Sequence, residues 1–289
     1  MEIGRVGNTF GLNTLSVVSE DIHLYSKLTE NWDEHLGTSK AFEGESTQPI
    51  FSADINADGN DENMIVSHDK LYTYDGQNIE VDEFESEITS SPLYLDDFQL
   101  LIIPTENKLH IGNDVLEISN ARLAFDSEEI VAVSGDKIYF ISIDGEINEE
   151  ITISNLDEQF YPVCYDDSND EYDATFVQDA KGDIWKIQNY QATKIFNLSG
   201  YSSELPTNLG IGDILQDNVP YLIFAAGDRT FAITTSGTLA PDFPGYLENR
   251  SFTVASFPKI VKFDEKVICY FASDQSYLSV DSHGDFVPE

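Results

Sequence analysis

The stretch IVAVSGDKIYFISIDG, residues 130–145, contains the pattern that decides the fold. An apolar, β-branched run is followed by a polar turn at Gly135 and Asp136, and then by a second apolar run that carries the ring of Tyr139. Residues of these types on both sides of a tight turn are typical of a β-hairpin. A second turn at Asp144-Gly145 indicates that each such unit has more than two strands.

The same pattern returns six more times, and this repetition predicts an all-β fold, a single β-propeller domain over residues 1–289. The other copies read LSVVSEDIHLYS (15–26), NMIVSHDKLYTYDG (63–76), LLIIPTENKLHIGN (100–113), ATFVQDAKGDIWKIQ (174–188), LIFAAGDRTFAITTSG (222–237) and VICYFASDQSYLSVDSHG (267–284). Successive turns lie 49, 38, 29, 46, 46 and 46 residues apart. A period near 45 is the size of one blade. Seven blades are predicted, and the interval of 29 leaves six blades, or one blade without its outer strand, as alternatives.

A planar ring lies three residues after the turn in every copy. The seven rings belong to His23, Tyr72, His110, Tyr139, Trp185, Phe231 and Tyr277. A flat ring at a fixed strand position can fill the wedge between neighbouring blades. We therefore interpret this column as packing and not as a ligand cage.

A closed ring of blades must pair the two ends of the chain, because an unpaired strand edge invites aggregation. Residues Glu2 to Leu12 are predicted to supply a strand beside the final copy. A second interpretation left open is that the chain is a piece of a longer protein, since neither a secretion signal nor an anchor is recognisable in it.

Composition excludes several classes of partner. The 289 residues are 41% hydrophobic, so a large core is possible. The chain has 15 Lys and Arg against 53 Asp and Glu, a net charge of -38, and repulsion from phosphates disfavours nucleic acid. No apolar stretch is long enough to insert into a membrane. The acidity itself fits a solvated surface, calcium loops or a high-salt habitat, and these causes stay open.

One loop carries recognisable metal chemistry. The residues DINADGNDE, 54–62, place oxygen-bearing side chains at positions 1, 3, 5 and 9 around a glycine at position 6. Hard oxygen ligands at alternate positions around a glycine turn suit calcium. An EF-hand would need Glu at position 12, which is Ile65 here, so the loop must close through Glu62. A turn rich in Asp and Asn that needs no metal is the alternative.

This loop, which runs directly into an apolar strand, resembles the FG-GAP or VCBS repeats of integrin-α-like propellers. The resemblance implies one calcium ion, held by the side chains of Asp54, Asn56, Asp58 and Glu62 and by the main-chain carbonyl of Asn60. Other loops depart from the pattern and are interpreted as eroded copies without a tight site: residues 96–97, 126–129, 166–171 and 211–217, where Leu215 and Tyr221 replace two ligands.

Catalytic motifs are missing from the sequence: there is no nucleophile elbow, no phosphate-binding glycine loop and no zinc-ligand spacing. The FG-GAP resemblance implies a calcium-stabilised, non-catalytic module that binds a protein or polysaccharide at the cell surface, in the periplasm or outside the cell. The alternatives are an assembly component of a larger envelope or secretion complex, and a polysaccharide lyase or hydrolase. Cys164 and Cys269 have apolar neighbours and are predicted to be buried, reduced thiols.

Overall fold

The computed structural model describes residues 2–4, 13–18, 21–27, 42–43, 47–48, 51–75, 78–156, 159–165, 174–246, 258–263, 266–272 and 277–283. Within these ranges the chain forms 27 β-strands and two short 3-10 turns. In the same part of the chain, no helix has the length and apolar character that a membrane crossing requires. Two compact units are distinguished, Met1–Leu123 with Ile143–Gly145, and Ala124–Ser142 with Glu146–Glu289.

The first unit holds three antiparallel four-stranded sheets in which the strands follow chain order. The first sheet comprises β1 (Glu2–Gly4), β2 (Asn13–Val18), β3 (Asp21–Lys27) and β4 (Phe42–Glu43). The second comprises β5 (Phe51–Ala53), β6 (Glu62–Ser67), β7 (Lys70–Tyr74) and β8 (Ile79–Glu83). The third comprises β9 (Leu93–Leu95), β10 (Leu100–Pro104), β11 (Leu109–Ile111) and β12 (Asp114–Leu116).

The remaining strands form four further sheets with the same up-and-down order. The fourth sheet comprises β13 (Arg122–Phe125), β14 (Glu129–Ser134), β15 (Lys137–Ser142) and β16 (Ile147–Thr152). The fifth comprises β17 (Val163–Tyr165), β18 (Ala174–Gln178), β19 (Ile184–Gln188) and β20 (Gln191–Phe196). The sixth comprises β21 (Gly210–Gly212), β22 (Tyr221–Ala226), β23 (Arg229–Thr234) and β24 (Gly245–Tyr246), and the seventh comprises β25 (Lys259–Phe263), β26 (Lys266–Ala272) and β27 (Tyr277–Val280).

Each of the seven repeat copies forms a hairpin in its own sheet, so the predicted count of seven is confirmed for the described residues. The copies supply strands two and three of every sheet. The abbreviated third copy does not lack its outer strand, because β12 pairs with β11. Its interval is short because β11 and β12 have three residues each and are joined by a two-residue turn.

The N-terminal strand has a different partner from the one predicted. β1 pairs antiparallel with β2, with Glu2 opposite Ser16 and Gly4 opposite Thr14. The prediction that this segment adds a strand to the final copy is therefore wrong for residues 2–4, while residues 5–12 lie outside the described part. Pairing with the next strand in the chain closes a short loop, which costs less conformational entropy than pairing across the whole chain.

Within the second, fourth and fifth sheets, burial decreases from the second strand to the fourth. This gradient explains which residue types each strand contains. The second strand is buried on both faces, as in β6, and its central residues Met64, Ile65 and Val66 are apolar. The third strand alternates between buried and half-buried residues, as in β7. The fourth strand faces solvent, as in β8 and β16, and therefore contains charged residues.

The tight turns of the repeat lie where the sequence places them. In three hairpins a two-residue turn joins strands two and three, and its first residue has a positive φ: 56° at His68, 55° at Gly135 and 61° at Gly227. A positive φ at this position matches the right-handed twist of the flanking strands, as in a type II′ turn.

Several rings of the repeat column pack as predicted. The His110 ring meets Phe84, which follows the second sheet, at 5.2 Å between centroids with an edge-to-face angle of 72°. Phe231 packs against Phe196 of the fifth sheet at 6.2 Å. Trp185 packs against an apolar cluster that includes residues of the fourth sheet. The side chains of His23 and Tyr277 lie outside the described part.

Candidate metal loop and binding surface

The predicted metal loop joins β5 to β6, and its backbone turns through two left-handed residues. The φ angles are 58° at Ala57 and 88° at Gly59. Glycine adopts such an angle without the steric cost that a Cβ imposes. The turn folds Asp54, Asn56, Asp58, Asn60 and Glu62 into one compact loop, so the structure brings all five predicted residues together.

Two aspartates of the loop, Asp54 and Asp58, accept hydrogen bonds from other residues of the loop. Asp54 Oδ1 accepts from the Asp58 N–H at 3.0 Å, and Oδ2 accepts from the Gly59 N–H at 2.9 Å. Asp58 Oδ1 accepts from the N–H and the Nδ2 of Asn60, both at 2.8 Å. These bonds from Asn60 lower the pKa of Asp58, because they stabilise the charged carboxylate.

The buried end of the loop is formed by Glu62, which is only 3% exposed. Its Oε2 accepts from the Ile55 N–H and its Oε1 accepts from Asn56 Nδ2, both at 3.0 Å. Burial raises the pKa of Glu62, and repulsion from Asp58 and Asp54 adds to the shift. A buried carboxylate beside two other acids is stabilised when a cation binds.

The donor atoms of this loop fit calcium in type, since they are carboxylate and amide oxygens. One group would have to change, because Asn56 presents its amide nitrogen to Glu62. A rotation of that amide by half a turn would exchange nitrogen for oxygen. Within the described ranges, no group of three or more His, Cys, Asp and Glu side chains is arranged to hold a metal ion. In the structure, amide groups of the loop itself donate hydrogen bonds to its carboxylates. Calcium binding therefore stays a prediction.

The surroundings of the loop are acidic and well anchored. The Tyr94 hydroxyl donates to the Asp54 carbonyl oxygen at 3.1 Å and so ties the loop to the third sheet. Beside the loop lies a cavity of about 410 Å³, whose wall includes Asp54, Asp61 and Asp96. Sequence analysis missed Tyr94, because it lies 40 residues from its partner and outside the motif.

The loop between β21 and β22 has the same backbone design without the complete ligand set. Asp213 accepts from the N–H groups of Asp217 and Asn218, both at 3.0 Å, in the pattern that Asp54 shows. The Tyr221 hydroxyl occupies the position of Glu62 in the motif and donates to Asp217 Oδ2 at 2.8 Å. Amide capping by aspartate is therefore common to both loops, and only the first adds a buried carboxylate.

The other acidic loops lie at the same connection in their own sheets. Asp96 follows β9 and Asp126 follows β13, each between the first and second strands. Asp126 Oδ1 accepts from the Glu129 N–H at 2.7 Å, and burial raises its pKa. Residues 166–171 lie outside the described part. This shared placement agrees with their interpretation as eroded copies of one loop.

A second surface feature is a group that we call the Tyr–Arg–Tyr patch, formed by the exposed Tyr201 and Tyr246 and the half-buried Arg229. The Arg229 guanidinium lies 5.0 Å from the centroid of the Tyr246 ring, and its Nη1 donates to the Tyr201 carbonyl oxygen at 2.9 Å. Tyr201 also stacks on Phe196, with centroids 5.3 Å apart. Tyr246 is 61% exposed, the largest exposure among the bulky apolar and aromatic side chains described.

No protein-family model matches this chain, and no curated protein matches it. Solved structures do match. The computationally designed Ika8 protein is 13% identical with a TM-score of 0.66, covering 99% of this chain and 86% of its own. BBS1N, solved in complex with ARL6DN, is 12% identical with a TM-score of 0.58 over 82% of this chain and 78% of its own. BamB from Moraxella catarrhalis is 12% identical with a TM-score of 0.57 over 96% of this chain and 83% of its own.

This chain has the β-propeller fold. The conclusion follows from seven small antiparallel sheets in chain order together with the propeller-like neighbours. At these identities the likeness establishes the fold alone, because one propeller architecture serves many functions. The function of this propeller must therefore be argued from its own surface.

Proposed function

We propose that this propeller is a non-catalytic binding module that is stabilised by calcium and presents a protein-docking surface. The observation that supports this most directly is the Tyr–Arg–Tyr patch. Tyrosine and arginine dominate the binding energy of protein interfaces, because they combine a large contact area with directed polar groups.

The patch is held in place before any partner arrives. Arg229 is fixed by its hydrogen bond to Tyr201, by the ring of Tyr246 and by an ion pair of 3.8 Å with Asp228. Fixing these side chains in advance lowers the entropy lost on binding. BBS1N was solved in complex with ARL6DN, so a propeller-like neighbour of this chain also engages a protein.

The calcium part of the proposal is supported by the loop at residues 54–62. Its oxygen donors, its left-handed glycine and the buried carboxylate of Glu62 are the features that a calcium loop of the FG-GAP type needs. Calcium would stabilise the folded loop by neutralising three neighbouring carboxylates. We further propose that the protein works at the cell surface, in the periplasm or outside the cell.

The test compares the wild-type protein with a variant in which the patch is removed, Arg229→Ala with Tyr246→Ala. Proximity labelling in cells of the source organism is expected to enrich partner proteins with the wild type and to lose them with the variant. The matched control is Val81→Ala with Val115→Ala, which removes exposed apolar side chains elsewhere. Equal enrichment by the patch variant would contradict the proposal.

Two further measurements address the alternatives. Binding on a glycan array that depends on Tyr246 would assign the patch to a polysaccharide ligand instead of a protein. Turnover of a charged polysaccharide by the purified protein would replace the proposal by the lyase or hydrolase alternative.

A further inference from the structure

The fifth sheet ends in an edge strand that differs from β8 and β16, the fourth strands of the second and fourth sheets. β20 is the last strand of its sheet, and its residues Gln191 to Lys194 are exposed. Among the described strands, none pairs with its outer edge. An edge of this kind presents unpaired backbone N–H and C=O groups, which can template the addition of another strand.

The comparable edge strands β8 and β16 are protected by acidic side chains. β8 reads IEVDE and β16 reads INEEIT, whereas β20 reads QATKIF and contains no acid. Exposed charges of one sign on an edge oppose strand addition, so β20 is the least protected of the three.

The lysines beside β8 and β16 have acidic partners, whereas two lysines beside β20 do not. Next to β8, Lys70 forms an ion pair with Glu83 at 2.8 Å, and next to β16, Lys137 pairs with Glu150 at 2.7 Å. Lys181 and Lys186, which lie next to β20, form no ion pair within the described part of the chain. Of the three edges compared, the one without acidic side chains is therefore also the one whose neighbouring lysines have no acidic partner.

The two faces of the β20 edge each have a cavity with a lysine in its wall. A cavity of about 450 Å³ is lined by Lys181, Trp185, Ala192 and Lys194 among others. Lys194 is already neutralised, because its Nζ lies 2.7 Å from Asp183 Oδ2. A cavity of about 250 Å³ is lined by Lys186, Gln188, Asn189, Gln191 and Thr193. Side chains of an added strand would alternate between these two cavities.

We propose that the edge of β20 accepts an extended acidic segment of a partner protein as an additional antiparallel or parallel strand. Backbone hydrogen bonds provide the pairing, and acidic side chains on neighbouring positions, which point to opposite faces, meet Lys181 on one face and Lys186 on the other. The charge of -38 does not prevent this at physiological salt, because charges beyond a Debye length of about 8 Å are screened. The inference rests on the proposed binding function and names the chemistry of the partner.

The probe is a fluorescein-labelled peptide of Thr-Glu-Glu-Thr repeats, which in an extended strand carries glutamates on both faces. Its binding is followed by fluorescence anisotropy at about 0.15 M salt. The wild-type protein is expected to bind it, and Lys181→Glu with Lys186→Glu is expected to weaken binding about tenfold. The matched control, Lys70→Glu with Lys137→Glu, makes the same change of charge beside β8 and β16 and should change affinity less than about twofold. Thermal melts establish that both variants are folded.

Two altered peptides separate strand addition from simple charge attraction. A peptide N-methylated at alternate residues keeps its charge but loses hydrogen bonds on one edge, and it is expected to bind about tenfold more weakly. A peptide with Gln in place of every Glu should also bind more weakly. The proposal is overturned if the acidic peptide does not bind, or if either altered peptide or the Lys181 and Lys186 variant binds equally well.

Sedimentation of the wild-type protein tests whether the β20 edge pairs with a second copy of this chain instead of a partner protein. A dimer that dissociates in the Lys181→Glu, Lys186→Glu variant would assign the edge to a second copy of this chain and overturn the proposal. If the acidic peptide fails while the Tyr–Arg–Tyr variant still loses its partners, this inference fails and the proposed binding function stands.

Discussion

At the scale of single residues, two loops of the same backbone design provide an internal comparison for metal binding. Asp54 and Asp213 cap equivalent backbone amides, but only the first loop ends in a buried glutamate. The loop shape therefore does not require a metal. We predict that calcium distinguishes the two loops through Asn56 and Glu62, where the second loop has Leu215 and Tyr221.

The first prediction uses this pair of loops. Calcium at about one hundred times its dissociation constant should stabilise the wild type by about 2.7 kcal/mol, which corresponds to a rise in Tm of roughly 4–5 °C. Asp54→Asn should abolish most of that rise, while Asp213→Asn should keep it. The measurement is a thermal melt in calcium and in EDTA. An equal response of both variants, or none in the wild type, would exclude the site.

The second prediction concerns the protonation of Glu62 in EDTA. Its pKa is raised by burial, so its favourable contribution to folding is present below about pH 4.3 and is lost as pH rises through the folded-state pKa. Tm in EDTA should therefore rise as pH is lowered from 7 towards 5. Glu62→Gln should have a higher Tm than wild type at pH 7 in EDTA, a weaker pH dependence and no response to calcium.

Asp126 serves as the control for this pH dependence. Burial raises its pKa in the same direction, so part of the trend should persist in the Glu62→Gln variant. A pH dependence that is identical in wild type and variant would contradict the role given to Glu62.

At the scale of elements, the connections between strands limit which residues the turns accept. Gly237 has a φ of 87°, and a Cβ there would overlap the carbonyl oxygen of Ile195 in β20. Gly135 also has a positive φ, 55°, but a Cβ there would meet no atom within 4 Å. A comparison of the two glycines therefore distinguishes the cost of a left-handed backbone from the added cost of steric overlap.

The third prediction follows from this contrast. Gly135→Ala should cost about 1–2 kcal/mol, which is the price of a left-handed conformation for a residue with a Cβ. Gly237→Ala should cost about 3–5 kcal/mol, because overlap with a backbone oxygen adds to the same strain. Urea unfolding of both variants measures the difference. Similar losses of stability would show that the contact with Ile195 relaxes easily.

At the scale of the whole molecule, charge is the dominant property. A net charge of -38 means that acidic side chains repel one another over much of the surface. The described ion pairs are mostly exposed, and exposed pairs contribute little to the free energy of unfolding.

The fourth prediction is a strong dependence of stability on salt. Raising KCl from about 0.01 M to about 1 M shortens the Debye length from about 30 Å to about 3 Å, so Tm in EDTA at pH 7 should rise by several degrees. At pH 4, where many carboxylates are protonated, the rise should be smaller. A Tm that is independent of salt at pH 7 would show that the acidic residues are spaced widely enough to avoid repulsion.

Much of the architecture could be predicted from sequence because its signals are local. The alternation of apolar and polar residues, the β-branched runs and the turn residues can each be recognised within about fifteen positions. These patterns predicted all seven hairpins that the sheets of the structure contain. The residues of the candidate metal loop were found for the same reason, since they are contiguous. The amide caps of Asp54 and Asp58 also span only a few residues.

Other features depend on contacts that a local pattern does not encode. The N-terminal strand could pair with any open edge, and the structure selects β2. The Tyr–Arg–Tyr patch joins residues up to 45 positions apart, from Tyr201 to Tyr246, and the anchoring of Asp54 by Tyr94 spans 40. Which lysines find an acidic partner likewise depends on the neighbouring strand. Hairpins and turns arise from short-range backbone preferences, whereas edges, patches and unpaired charges arise only when distant segments pack.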